Sequence, residues 1–201
     1  RKTDVEALVR AMVFNRLCDP TSKLGCLRSL DTVALPAMPS KATHQHLLRS
    51  MDALITHQEA VDNTVAKLLR PLIDQDLSVV FYDLTTIRAE GQSTVDGDVR
   101  HFGMAKEGLI ARQFMLGVVQ TAEGLPIHHE VFAGNRAETQ TLVPTIERVL
   151  SRFPIRRVVL VADRGLLSLD NLDAIQQIQV NGKPLEFILA VPARRYSDFD
   201  K

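Results

Sequence analysis

Near Leu77 the spacing of apolar residues changes, and that change restricts the folds open to this chain. Before it, apolar positions recur at helical intervals. Val5, Leu8, Val9, Met12, Val13 and Leu17 form one stripe, Thr3 and Glu6 fit a capping box at its start, and Pro20 lies just past its end. A second helix is expected from Thr43, with Leu47, Leu48, Met51, Leu54 and Ile55 on one face. A third takes Val61, Val65, Leu68, Leu69, Leu72 and Ile73. The proline-containing phrase "LDTVALPAMPSKA" reads as a connector.

Beyond Leu77 the residues favour strands. Ser78 to Thr85, Arg112 to Thr121 and Leu125 to Phe132 are rich in Val, Phe, Tyr and Ile and bounded by turn residues. The polar stretch from Glu90 to Gly108 carries four glycines and reads as a long connection or hairpin. "AGNRAETQT" is a turn leading into a helix whose apolar face is Leu142, Val143, Ile146, Val149 and Leu150. Val158 to Ala162 is continuously apolar, the pattern of a strand buried on both faces. Ser168 is placed to cap a further helix with Leu169, Leu172, Ile175 and Ile178, and Glu186 to Val191 reads as a last strand. The expected order is β-β-β-α-β-α-β behind a helical N-terminal region, an α/β architecture with a mixed sheet. The crossover helix lets the fourth strand lie parallel to the first.

Composition adds exclusions. The chain of 201 residues is 45% hydrophobic and 24% charged, ordinary for a globular protein, and its formal net charge is zero. No apolar run approaches the roughly 20 residues of a membrane span, and the start "RKTDVEALVR" lacks the apolar core of a secretory signal. The absence of an initiator Met suits a fragment or a processed product. Cys18 and Cys26 have no CxxC spacing, which argues against a zinc site or a disulfide framework and for reduced thiols. "SRFPIRR" is basic, with Arg148 and Arg164 flanking it, and reads equally as a solvated helix end or a phosphate-facing patch.

Two of the expected strands each deliver one acid near the exit: Asp83 in "VVFYDLTTIRAEG" and Asp163 in "RVVLVADRGLLS". A single aspartate at a strand end is ordinarily a cap or turn residue. A matched pair on neighbouring parallel strands is different, because two ionised carboxylates side by side repel unless a cation lies between them. Hard oxygen donors suit Mg²⁺ or Mn²⁺, and such ions activate the attacking oxygen and stabilise the leaving oxygen of phosphoryl transfer.

The phrases "FYDLTT", "HFGMAKEG", "GLPIHHEVFAGNRAETQTLVPTIERV" and "RVVLVADRGLLSLDNL", in that order, resemble the DDE transposases of bacterial insertion sequences. The resemblance covers most of the chain, including "ALVRAMVFNRLCDPTSKLG" ahead of the core. It implies an RNase H-like fold, with a helical region at 1–76 suited to DNA-end binding and a catalytic core at 77–201. It implies DNA strand cleavage and strand transfer with Mg²⁺ or Mn²⁺ on double-stranded transposon ends and target, in a homo-oligomeric complex in the bacterial cytoplasm, at the nucleoid. Asp83 and Asp163 match the first two acids of the family's triad, and Arg164 and Gly165 match the residues behind the second. The Gly134-Asn135 turn matches a family feature best read as structural.

The pattern breaks at the third acid. Its glutamate belongs to a Y-x-x-R-x-x-x-E signature, whereas here Phe199 stands three residues after Tyr196 and the sequence stops at Lys201. Asp170, Asp173, Glu186, Asp198 and Asp200 do not fit the signature, so the expectation is a chain truncated before the third acid. A remnant that binds DNA or a partner without cutting is the first alternative. A metal-dependent phosphatase is the second, although the D-x-D-x-T strand of that class would need an acid where Thr85 stands.

Other residues have competing readings. Lys106, Arg112 and Arg164, with His101, are candidate DNA contacts, against a solvated loop. Thr85 and Thr86 either orient Asp83 or simply favour the strand. On a strand His128 and Glu130 share one face and His129 takes the other, so a metal site there needs ligands from elsewhere.

Overall fold

A computed structural model describes residues 4–37, 41–72, 79–91, 95–104, 110–153, 159–162 and 169–191. The chain divides into two compact units, Arg1–Val65 and Ala66–Lys201, with the boundary inside a helix.

The first unit is helical. Helix α1 (Val5–Cys18) starts at Asp4, whose side chain accepts the Ala7 N–H. The expected cap, Thr3, lies outside the described residues; a carboxylate is an equally good acceptor there and also complements the helix dipole. Helix α2 (Lys23–Ser29), capped by Ser22, is an element that periodicity missed, because seven residues are too few to show a stripe. Helix α3 (His44–Thr56) begins where expected, with the Thr43 hydroxyl on the His46 N–H. Leu8, Cys26 and Leu47 meet in the core of this unit, and burial pushes the Cys26 thiol pKa up. Both cysteines are free. The apolar stripes are wider than the buried ones: Leu17, Ile55, Val61 and Val65 are exposed. Helix α4 (Gln58–Leu69) carries the chain across the boundary and ends in a 3₁₀ turn.

The second unit is a mixed sheet with helices. Its strands are β1 (Val80–Arg88), β2 (His101–Met104), β3 (Ile110–Thr121), β4 (Pro126–Ala133), β5 (Val159–Ala162) and β8 (Glu186–Leu189). Strand order runs β2-β3-β1-β5-β8, and β4 pairs with β3. β1, β3 and β4 form the expected antiparallel meander, and β5 runs parallel to β1, as β8 does to β5. The crossover from β4 to β5 is α5 (Leu142–Arg152), and α6 (Leu169–Gln177) leads towards β8. Three antiparallel strands followed by two parallel ones, joined by helices, is the RNase H-like arrangement. Ser168, the expected cap of α6, lies outside the described residues.

Two features sharpen or extend the expected order. β2 pairs with the start of β3 inside the glycine-bearing connection, through His101↔Gln113 and Phe102↔Arg112. A small hairpin, β6 (Gln179–Val180) with β7 (Lys183–Pro184), turns at Asn181 and Gly182, both at positive φ. Each strand there is too short to carry a period of two.

The core lies on one face of the sheet. Val80, Tyr82, Leu84, Met115, Val119, Phe132 and Leu160 project towards Leu142, Ile146 and Val149 of α5 and Ile175 of α6. Complete burial of a side chain such as Leu160, 0% exposed, contributes roughly 1.5–3 kcal/mol. The opposite face is less covered: Val159 and Val161 of β5 are half-buried and Phe81 is 37% exposed.

Candidate active site

Strand β1 forms because "VFYDLTTIR" is almost wholly β-branched, aromatic or apolar, and its alternation sets which face each residue takes. Val80, Tyr82 and Leu84 are buried, while Phe81, Asp83 and Thr85 are exposed on the other face. Asp83 lies opposite Val118 of β3. One carboxylate oxygen accepts the Leu84 N–H at 2.9 Å. Among the described residues no cationic side chain pairs with Asp83 and no threonine hydroxyl reaches it. Thr86 sits on the buried-face register, opposite Met115, so strand formation is the role its position supports.

The parallel ladder between β1 and β5 pairs Val80 with Leu160, Phe81 with Val161 and Tyr82 with Ala162. The residue after Tyr82 is Asp83, and the residue after Ala162 is Asp163. Asp163 lies outside the described residues, as do Arg164 and Lys106. Among the described residues no group of three or more His, Cys, Asp or Glu side chains gathers as a metal cage.

Arg112 is on β3, and its contacts are within the protein. One guanidinium nitrogen donates to the Gly91 carbonyl at 2.8 Å, and another to Asp98 at 3.1 Å. Asp98 also receives Arg100, at 2.6 Å. Hydrogen bonds from Arg100 hold the Asp98 carboxyl well below the usual carboxylate range, and the same pairing raises the Arg100 pKa. This cluster fastens the connection between β1 and β2 to β3. Asp98 had no signal in the sequence beyond lying between glycines.

A second polar cluster lies behind Asp83, on the buried face. The Tyr82 hydroxyl donates to the Thr141 hydroxyl oxygen at 2.9 Å. Burial pushes the Tyr82 pKa up. His128 and Glu130 do share a face, directed towards α5: Glu130 pairs with Arg148 at 2.9 Å, and the His128 ring is 3.1 Å from Arg152. Two arginines beside the pair argue against a cation there.

The Gly134-Asn135 turn explains its glycine sterically. A Cβ on Gly134 would overlap the Gln113 carbonyl oxygen. The Gly134 N–H donates to Val99 O and its carbonyl accepts from the Gln113 amide, both at 3.0 Å. The turn thus locks β4 to β3 and to the connection ahead of β2.

Residues 74–193 match the family described as the Transposase DDE domain. The chain belongs to that family. Transposases of this family use divalent metal ions. No curated protein matches the chain in sequence. Among solved structures, the piggyBac transposase synaptic complex with hairpin DNA is similar over 96% of this chain and 42% of its own, at 11% identity and a TM-score of 0.48. The Mos1 transposase paired-end complex with the left transposon end is similar over 98% and 62%, at 12% identity and a TM-score of 0.37. A Mos1 mariner paired end complex with Mn covers 93% and 60%, at 11% identity and a TM-score of 0.36. The chain therefore spans less than two thirds of the length of these relatives. No helix among the described residues is long and apolar enough to cross a membrane.

Proposed function

We propose that this chain is the catalytic core, with part of the DNA-binding region, of a DNA transposase that cleaves and joins strands by metal-dependent phosphoryl transfer. The register Tyr82↔Ala162 carries the reading. One further step in the same register would set Asp163 beside Asp83, with backbones about 4.8 Å apart, the spacing of neighbouring strands. Two carboxylates so close repel, and Asp83 has no cationic side chain among the described residues to relieve it. Its chemistry fits a hard divalent cation: one oxygen is used by the Leu84 N–H, which leaves the other to bind.

Asp83 and Asp163 would hold Mg²⁺ or Mn²⁺. Such ions, when bound, lower the pKa of a coordinated water or hydroxyl and neutralise charge on the transferring phosphate. The protein's own contribution would be positional: β1 carries Asp83 on the face away from the core, and the buried face keeps β1 and β5 in register. In this reading Lys106, Arg112 and Arg164 lie on the DNA side, Arg112 acting through the loop it fastens. Residues 1–76 would contact transposon ends, and 77–201 would form the core. The partners would be double-stranded DNA and further copies of the chain, in the cytoplasm at the nucleoid.

The test is nicking of supercoiled DNA with Mn²⁺. Nicking that disappears in both Asp83→Ala and Asp163→Ala supports the proposal. Mn²⁺-dependent nicking that persists in Asp83→Ala or Asp163→Ala overturns the metal-pair reading, and DNA binding with no nicking favours the alternative of a chain that binds without cutting.

A further inference from the structure

We infer that Tyr82 is a positioning residue for the Asp83 carboxylate, held by Thr141 and the turn at Glu138; the inference rests on the metal-site reading above.

Tyr82 and Asp83 are consecutive on β1 and point to opposite faces. Any slide or twist of β1 at Tyr82 therefore moves Asp83. The antiparallel ladder to β3 holds the β1 backbone through Tyr82↔Val119, Asp83↔Val118 and Leu84↔Gly117, but a ladder fixes register more firmly than it fixes the twist of one residue. Tyr82 adds a side-chain constraint to that ladder through a single directional bond. Its ring is 2% exposed, and its hydroxyl donates to Thr141 at 2.9 Å. The Thr141 hydroxyl spends its own proton on the Glu138 carbonyl at 2.7 Å, which turns its lone pairs to Tyr82. The Thr145 hydroxyl donates to the Thr141 carbonyl at 2.7 Å and lies 3.4 Å from a Glu130 oxygen. Thr141 and Thr145 are both completely buried.

Strand β3 leaves a slot for this hydroxyl. At Gly117, opposite Leu84, a Cβ would lie 2.8 Å from the Tyr82 oxygen. Phenylalanine would fill the same core position without needing any partner, since a buried hydroxyl costs free energy unless it is hydrogen-bonded. The fold instead commits a glycine, two buried threonines and the turn ahead of α5 to satisfying one oxygen. That investment makes sense for orientation, because apolar packing tolerates small slides that a hydrogen bond does not.

The experiment compares the whole chain with Tyr82→Phe, Thr141→Val, Thr141→Ser and a control, Ile146→Val, which loosens the same core without touching the hydroxyls. Mn²⁺ affinity is read by electron paramagnetic resonance, and amide exchange is followed across residues 80–84. Tyr82→Phe and Thr141→Val are expected to weaken Mn²⁺ binding about tenfold, as removal of outer support does at other metal sites. Thr141→Ser should restore it, and Ile146→Val should leave it unchanged. Exchange at 80–84 should be faster in Tyr82→Phe than in the control. Equal affinity and equal exchange in Tyr82→Phe and Ile146→Val overturn the inference. If Asp83→Asn does not weaken Mn²⁺ binding, the metal-site reading fails instead. The exchange comparison then decides the role of Tyr82 by itself, and unchanged protection overturns it.

Discussion

Tyr82 and Ala162 face one another on the last described rung of the parallel β1–β5 ladder, and each is followed in sequence by an aspartate. Both are buried on the α5 side of the sheet, so alternation directs Asp83 to the side that the core does not occupy. A carboxylate supported by one backbone amide on an open sheet face has an oxygen free to meet a cation, and the proposed metal site makes a thermodynamic prediction.

Mn²⁺ should stabilise the chain by mass action, by about 2.7 kcal/mol at a hundredfold excess over its dissociation constant. Asp83→Ala should abolish that gain. Without metal the same substitution should be neutral or slightly stabilising, because it removes one of two like charges. Thermal melts with Mn²⁺ and with a chelator check both halves. A substitution that destabilises the metal-free chain by more than about 1 kcal/mol would point to a structural role for the carboxylate.

Gly134→Ala should be severely destabilising. The added methyl would meet the Gln113 carbonyl oxygen, which is backbone and has no room to swing away. A cost of about 3 kcal/mol or more is expected, the upper range for overpacking. Gly124→Ala is the comparison, since nothing lies near its Cβ and its φ of +82° alone resists a side chain; that costs about 1–2 kcal/mol. Urea denaturation should rank the two variants in that order.

These cases show why the sequence was readable in some places and silent in others. The strands of the meander were legible because each exceeds seven residues and repeats its pattern, and β5 because it is apolar throughout. β2 was legible only as part of a connection or hairpin, because His101–Met104 is short and defined by its partner β3. The face of Asp83 followed from alternation alone. The support behind it did not, because Tyr82, Gly117 and Thr141 come from three separate elements that only the register brings together. Likewise the stripe on α4 predicted burial for Val61 and Val65, which the structure leaves exposed, since periodicity names an apolar face but not what covers it.

The Glu130–Arg148 pair should prove unequal when its two partners are removed singly. Arg148 is 57% exposed and returns to water when its partner goes, whereas Glu130 is 13% exposed and sits between Thr145, His128 and Arg148. Arg148→Ala should cost under about 1 kcal/mol, as exposed ion pairs do. Glu130→Ala should cost more, roughly 1–3 kcal/mol, because it removes a largely buried carboxylate that faces His128, Thr145 and Arg148. Chemical denaturation of the two variants at neutral pH measures the difference.

Asp98 gives a prediction whose sign depends on pH. Arg100 and Arg112 bond its carboxylate in the folded chain, which depresses its pKa below that of an unfolded aspartate, about 3.9. A depressed folded pKa means that near pH 4 the unfolded chain binds more protons than the folded one. Stability from this group therefore rises with pH there. It is fully present above about pH 4–5 and is lost as pH falls towards the depressed folded value. Asp98→Asn removes the charge at every pH and resembles the protonated acid. The variant should be less stable than the unaltered chain at pH 7, and the gap should narrow steadily below pH 4. Urea titrations at a series of pH values follow the gap directly. A difference that stays constant from pH 7 to below pH 3 would mean that hydrogen-bond geometry, not charge, is what Asp98 contributes.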